Sequence, residues 1–235
     1  MKYIKRFIGF TYYKLKKIFK PSNLIFIIIS KTKSKFFSTI RAKNIYDFET
    51  ATKLAIDDNL EVYDFHKVYF KKLLPLNKNL TLLDFGCGTG RYLELQKLYK
   101  KVYLVDISKH NLKIASEVAD KLEIKHETIK GSLNSIKSKI DIFFCVGVFG
   151  QTYPFNKNTI NKIYSILEPN GKAIFTIKSI DYKNQEVYNE VLALGEPTIQ
   201  RILEDFNFSM EQVDFPSIRG EKESFVVIEL NKNFK

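Results

Sequence analysis

From residue 80 onward the sequence predicts an α/β fold: a doubly wound, mostly parallel sheet of seven strands, preceded by a helical extension. Three observations carry this expectation. Apolar runs of strand length alternate with helical stretches, the pattern of a parallel sheet covered on both faces. The first run, residues 80–85, leads into three glycines at alternate positions, Gly86, Gly88 and Gly90, a turn suited to the close approach of a ligand. The last two runs, residues 208–215 and 224–230, leave little room for a helix between them and read as a closing hairpin.

The remaining elements follow in order. Strands are expected near 80–85, 101–106, 124–129, 140–148 and 172–178, and helices near 90–99, 109–122, 158–167 and 197–206. Ser108 is placed to cap the second of these helices. Right-handed crossovers put a ligand beyond the C-terminal strand ends, at the point where the strand order reverses. Before the sheet, Leu54, Leu60, Val62, Phe65, Val68, Tyr69 and Leu73 give a helical rhythm that Pro75 and Asn77 end. The expected organisation is an arm over residues 1–43, a helical segment over 44–77 and one domain over 78–235. With 45% hydrophobic residues, that domain can bury a full core.

The glycine turn carries the chemistry. Residues 101–106 form a second strand ending in Asp106, which lies 20 residues after Gly86. An acid at that place can accept both hydroxyl protons of a ribose. The helical pattern from Tyr92 to Leu98 predicts a helix start beside the turn, with free N–H groups and a partial positive charge. The spacing is G-x-G-x-G rather than the G-x-G-x-x-G of dinucleotide sites, and Asp84 sits inside the strand just before it.

The run Leu82-Leu83-Asp84-Phe85-Gly86-Cys87-Gly88-Thr89-Gly90, closed by Asp106, resembles the class I S-adenosylmethionine-dependent methyltransferases. Two later stretches agree. Residues 141–148 resemble the family's fourth strand, and Leu167-Glu168-Pro169-Asn170-Gly171-Lys172 its turn before the fifth, with Asn170 in place of a glycine. The resemblance covers about residues 78–235. It implies S-adenosyl-L-methionine as cofactor, with Gly86, Cys87, Gly88 and Gly90 around its methionine part. It also implies Asp84 near the cofactor amino group or ordering the turn, Asp106 on the ribose, Ile107 against adenine, and Val146 on the fourth strand. Where many members have an acid after the third strand, this chain has Ser132. Where many have a histidine after the fourth, it has Gln151, followed by Tyr153. Gln151 cannot act as a base near neutral pH, so Gln151 and Tyr153 are expected to bind and align the acceptor. Such alignment is the main requirement when the leaving group departs as a neutral thioether. Helices before the first strand often lid the site in this family, which makes Tyr46, Tyr63 and His66 lid candidates. His110 and His126 are expected to pack or face solvent.

The expected reaction is methyl transfer to oxygen or nitrogen of a small-molecule, lipid-linked or saccharide acceptor. Two rivals stay open: an RNA methyltransferase that grips phosphates with its basic arm, and a non-catalytic module that keeps the cofactor fold. No Asn-Pro-Pro-Tyr, Asp-Pro-Pro-Tyr or Pro-Cys sequence is present, which argues against the common modes of DNA-base methylation. Cys87 and Cys145 are the only cysteines, far apart and outside any metal-ligand spacing, so no metal is expected and a reducing cytoplasm fits.

Charge is distributed in blocks. Residues 1–43 hold 12 Lys and Arg and no acid, whereas residues 44–235 hold 26 of each sign. The excess of +12 therefore belongs to the arm, and implies an acidic partner there. On a helix over residues 2–20, Ile4, Phe7, Ile8, Leu15, Ile18 and Phe19 share one side, and Lys2, Lys5, Arg6, Lys16, Lys17 and Lys20 the other. Such a helix can lie in an anionic membrane interface, or pack its apolar side on the domain. Residues 24–29 are all apolar but too few to span a bilayer. The expected location is cytoplasmic, peripheral on the inner membrane face, with RNA as a competing partner for the arm.

Overall fold

The computed structural model describes residues 60–150, 153–178, 196–216 and 222–233. The arm, Tyr46 and Gln151 lie outside these residues. Helix α1 (Leu60–Leu73) precedes strand β1 (Thr81–Phe85), and β2 (Lys101–Asp106), helix α2 (Lys109–Lys121), β3 (His126–Lys130) and β4 (Ile140–Phe149) follow. The chain continues through α3 (Lys157–Ile166), β5 (Leu167–Lys178), α4 (Glu196–Leu203), β6 (Asn207–Pro216) and β7 (Lys222–Asn231). The seven strands form one sheet in the order β3-β2-β1-β4-β5-β7-β6. Only β7 runs against the rest, since it pairs antiparallel with both β5 and β6. The doubly wound sheet and its closing hairpin are thus as the sequence predicts, and the order reverses between β1 and β4.

Alternation along the strands builds two cores. Leu82, Leu104, Phe144, Ile174 and Val227 face one side, beneath Phe70 of α1 and Leu112, Ala115 and Ala119 of α2. Leu83, Val105, Phe143, Cys145, Phe175 and Ile228 face the other, beneath Ile160 and Ile163 of α3 and Ile199 of α4. Each such side chain contributes about 1.5–3 kcal/mol on burial. Helix α1 is pinned over the hairpin side of the sheet. Phe70 meets Phe144 and Phe215, and Tyr69 donates to Glu211 at 2.8 Å.

Local chemistry explains several boundaries. The Ser108 side chain caps α2 by accepting from Asn111 N, and Asn156 caps α3 by accepting from Thr159 N. Asn170 has φ +63°, the left-handed conformation that a glycine supplies in the resembling turn and that asparagine tolerates. β5 starts at Leu167, earlier than the sequence predicts, because Leu167 already pairs with Ile140 ahead of that turn. β3 starts two residues late, at His126.

One expectation is corrected. The helix predicted over 90–99 does not form; turns and a four-residue 3-10 segment, Leu93–Gln96, take its place. Leu93 N bonds Gly90 O, Leu95 N bonds Tyr92 O and Tyr99 N bonds Gln96 O, all three-residue closures. Tyr92, Leu93 and Gln96 are all pulled into the core within this short connection. Tertiary demand overrides the local helical rhythm, and the α-helical N-terminus expected directly after the glycine turn is absent.

Candidate active site

The turn after β1 is tied to the end of β2. Gly86 N and Cys87 N both donate to Val105 O, at 2.7 and 3.2 Å. Gly86 has φ +74°, and a Cβ there would stand 2.3 Å from Val148 Cγ2 on β4, so both backbone and space demand glycine. Gly88 has φ +55°, and a Cβ on it would meet no atom within 4 Å. The turn is therefore packed on one side and open on the other, as a ligand cradle requires.

Asp106 closes β2 beneath this opening. Its Oδ2 accepts from Gly88 N at 3.0 Å and its Oδ1 from Ser108 N at 2.8 Å. These bonds fix the carboxylate, and each oxygen keeps acceptor capacity for a hydroxyl. Gly131 N donates to Asp106 O at 3.0 Å, which brings Ser132 to the same strand end. Ser132 N is itself held by Ser135 Oγ at 3.3 Å. Ile107 is half-buried beside Asp106.

Asp84 lies under the turn and is buried. Gln96 Nε2 donates to its Oδ2 at 2.7 Å. Burial raises the Asp84 carboxyl from its ordinary value to about 7; the Gln96 bond opposes that rise and the nearby Asp106 charge adds to it. Gln96, fully buried 12 residues along the chain, is a residue that the sequence reading missed. Nothing in the run Arg91–Lys97 distinguishes a glutamine that turns inward from one on a solvated face. Burial also pushes the Cys87 and Cys145 thiols up, so neither supplies a thiolate.

On the β4 side, Val146 is half-buried on the same sheet face as Asp84 and Cys87. Gly150 N bonds Tyr153 O and Tyr153 N bonds Val148 O, which folds the chain back over the strand end. The Tyr153 ring sits edge-on to Phe85 at 5.3 Å and to Phe149 at 6.0 Å. Burial raises its phenol above the ordinary value, so it remains protonated near neutral pH. The structure thus gathers Asp84, Gly86, Cys87, Gly88, Gly90, Asp106, Ile107 and Ser132 at the ends of β1 to β3, with Val146 and Tyr153 across the reversal point.

Two of the three histidines, His66 and His126, are held by packing and hydrogen bonds. His66 Nδ1 bonds the Tyr92 hydroxyl at 3.1 Å, and its ring lies 4.1 Å from that of Phe215. His126 bonds Ser116 Oγ and Ile124 O. Among the described residues no group of His, Cys, Asp and Glu could hold a metal ion.

Residues 76–223 match the family described as "Methyltransferase domain". No curated protein matches the sequence. Among solved structures, magnesium protoporphyrin IX methyltransferase of Synechocystis PCC 6803, with bound SAM, superposes with a TM-score of 0.56 at 18% identity, covering 86% of this chain and 96% of that one. Geranyl diphosphate C-methyltransferase of Streptomyces coelicolor, in complex with S-adenosyl-L-homocysteine, gives 0.60 at 13% identity, covering 79% and 86%. The tRNA m1G37 methyltransferase of M. jannaschii gives 0.53 at 18% identity, covering 74% of this chain and half of that one. Sequence match, strand order and glycine turn agree, and the chain belongs to the class I S-adenosylmethionine-dependent methyltransferases.

Proposed function

We propose that the protein methylates oxygen or nitrogen of an uncharged, partly apolar acceptor: a small molecule, with saccharide and lipid-linked compounds in the same class. The observation that carries this reading is the character of the chain across the reversal point. Residues 142–156 contain no charged residue. Tyr153, half-buried, packs edge-on to the buried rings of Phe85 and Phe149 there, and its hydroxyl has no hydrogen-bond partner among the described residues. An uncharged strand end with one available phenol suits an apolar acceptor that presents one polar group. An RNA site would place cations at its mouth to meet phosphates.

The cofactor supplies an electrophilic methyl group on sulfur. This chain's residues do the rest: the open glycine turn and Asp106 hold and orient the cofactor, and Gln151 and Tyr153 bind and orient the acceptor. Tyr153 holds its proton and serves as a hydrogen-bond partner, so rate comes from alignment and exclusion of water. An acceptor nucleophilic in its neutral form fits this arrangement best.

The arm is read as an anchor. Its apolar and basic faces support peripheral attachment of residues 1–43 to an anionic membrane surface, on the cytoplasmic side. The test of function is methyl transfer from labelled S-adenosylmethionine into fractionated cell extract. Label in a small organic fraction supports the reading; label confined to RNA overturns it.

A further inference from the structure

We propose that the end of the domain opposite the glycine turn docks on an anionic lipid bilayer, with Leu76 and Leu98 as its apolar contacts. Leu76 is 53% exposed and Leu98 42% exposed, two of the four large apolar side chains that stand out in solvent among the described residues. Leu76 lies 10 residues before Gly86 and Leu98 12 residues after it, yet their segments are tied together. The Tyr99 hydroxyl donates to Pro75 O at 2.8 Å, Lys100 N donates to Leu80 O at 2.8 Å, and Leu80 N to Asn77 O at 3.2 Å. Tyr99 itself is buried, so this face is rigid.

Within the two segments that carry the leucines the charge has one sign. Lys71, Lys72, Lys78, Lys97 and Lys100 are exposed. Residues 71–80 and 95–101 contain no Asp or Glu. The ion pairs among the described residues use other lysines, such as Lys67 and Lys101. Single exposed leucines and lysines at a helix end are common. Here two exposed leucines stand on linked segments that carry five exposed lysines with no ion pair among the described residues. Aliphatic side chains gain by entering an apolar interface, and the lysines gain beside anionic headgroups. A nucleic-acid face would instead offer exposed aromatic rings for stacking, and Tyr99, the aromatic side chain within these two segments, is turned inward.

The choice of a lipid partner rests on the membrane reading of the arm, and the consequence extends the functional reading. The six residues of β2 separate this face from Asp106 by about 20 Å. Docked this way, the glycine turn points away from the bilayer, which within the proposed class favours a free small molecule or saccharide arriving from water over a lipid-linked compound.

The test uses the full chain. Cys87 and Cys145 are buried, so an introduced surface cysteine can be labelled selectively. Leu98→Cys and Lys109→Cys, the latter at the opposite end, would each carry an environment-sensitive fluorophore. Phosphatidylcholine vesicles with phosphatidylglycerol should shift the probe at 98 to the blue and leave that at 109 unchanged; phosphatidylcholine alone should do much less. Reversing Lys72, Lys78, Lys97 and Lys100 to Glu together should lower vesicle partition about tenfold or more, with S-adenosylmethionine affinity unchanged. A full chain that sediments with anionic vesicles while the probe at 98 stays in water overturns the proposal and leaves the arm as sole anchor. A probe at 98 that responds to bulk RNA and not to vesicles overturns it in favour of nucleic acid. Failure of the full chain to bind vesicles overturns docking and anchor together, while the methyl-transfer assay judges the functional reading separately.

Discussion

The two flanks of the β1/β4 reversal are built from different materials. On the β1–β2 flank, position is set by backbone: glycines at fixed spacing, amide donors and two buried carboxylates, Asp84 and Asp106. On the β4 flank it is set by packed rings, Phe85, Phe149 and Tyr153, with no charge over residues 142–156. The first flank therefore responds to pH and to single-atom additions. The second responds mainly to shape. Experiments that treat the flanks alike should give unlike results.

The largest contrast concerns pH. Asp84 has a raised carboxyl, so between its ordinary value of 3.8 and about 7 the native state binds more protons than the unfolded chain. Its contribution to stability is then fully present below that window and declines as pH rises through it, levelling above about 7. The full span is worth up to about 4 kcal/mol. Asp84→Asn should remove this slope, which denaturant unfolding between pH 5 and 8 would reveal. A cationic ligand beside Asp84 favours the carboxylate, so cofactor affinity should rise over the same range in the parent and not in the variant. An unchanged stability slope in Asp84→Asn would contradict this account of the flank.

Two glycines sharpen the comparison within one turn. Gly86→Ala places a Cβ against Val148 in a left-handed conformation, and should cost about 3 kcal/mol of stability. Gly88→Ala meets no protein atom, and should cost only about 1 kcal/mol while weakening the cofactor strongly, because the new methyl enters the open side. Thermal unfolding and calorimetry together separate the two effects. Asp106→Ala removes the acceptor of Gly88 N and of the expected ribose hydroxyls, and should weaken binding by about 1.5–3 kcal/mol. Unchanged affinity would take Asp106 out of the cofactor site.

The same difference in materials decides what can be read from sequence. The glycine turn and Asp106 are legible in their spacing, and the mostly parallel sheet with its closing hairpin follows from the strand–helix alternation. The helix after the turn was misread, since residues 90–99 carry a helical rhythm that burial of Tyr92, Leu93 and Gln96 overrides. Gln96 was invisible because its partner Asp84 is joined to it only by tertiary folding. His66 stood out as a lid candidate, yet its place against Phe215 depends on α1 crossing a hairpin formed some 150 residues later. On the β4 flank, Tyr153 could be named from its position, but the buried rings that hold it come from β1 as well as β4 and have no sequence signature.

The smallest expected effect lies on that flank. Tyr153→Phe keeps the ring against Phe85 and Phe149 and removes only the hydroxyl, so stability and cofactor affinity should hold within about 0.5 kcal/mol. If the hydroxyl orients the acceptor, one neutral hydrogen bond is lost, worth about 0.5–1.5 kcal/mol, or about a 2- to 12-fold fall in kcat/KM. Because burial keeps this phenol protonated, its removal should lower the pH profile of turnover uniformly without moving its limbs. Gln151→Ala should act in the same direction, lowering turnover and sparing cofactor affinity. A limb of the profile that disappears in Tyr153→Phe would show the phenol trading a proton, and would move the reaction from alignment towards base catalysis. Intact turnover in both variants would place the acceptor elsewhere than beside Tyr153.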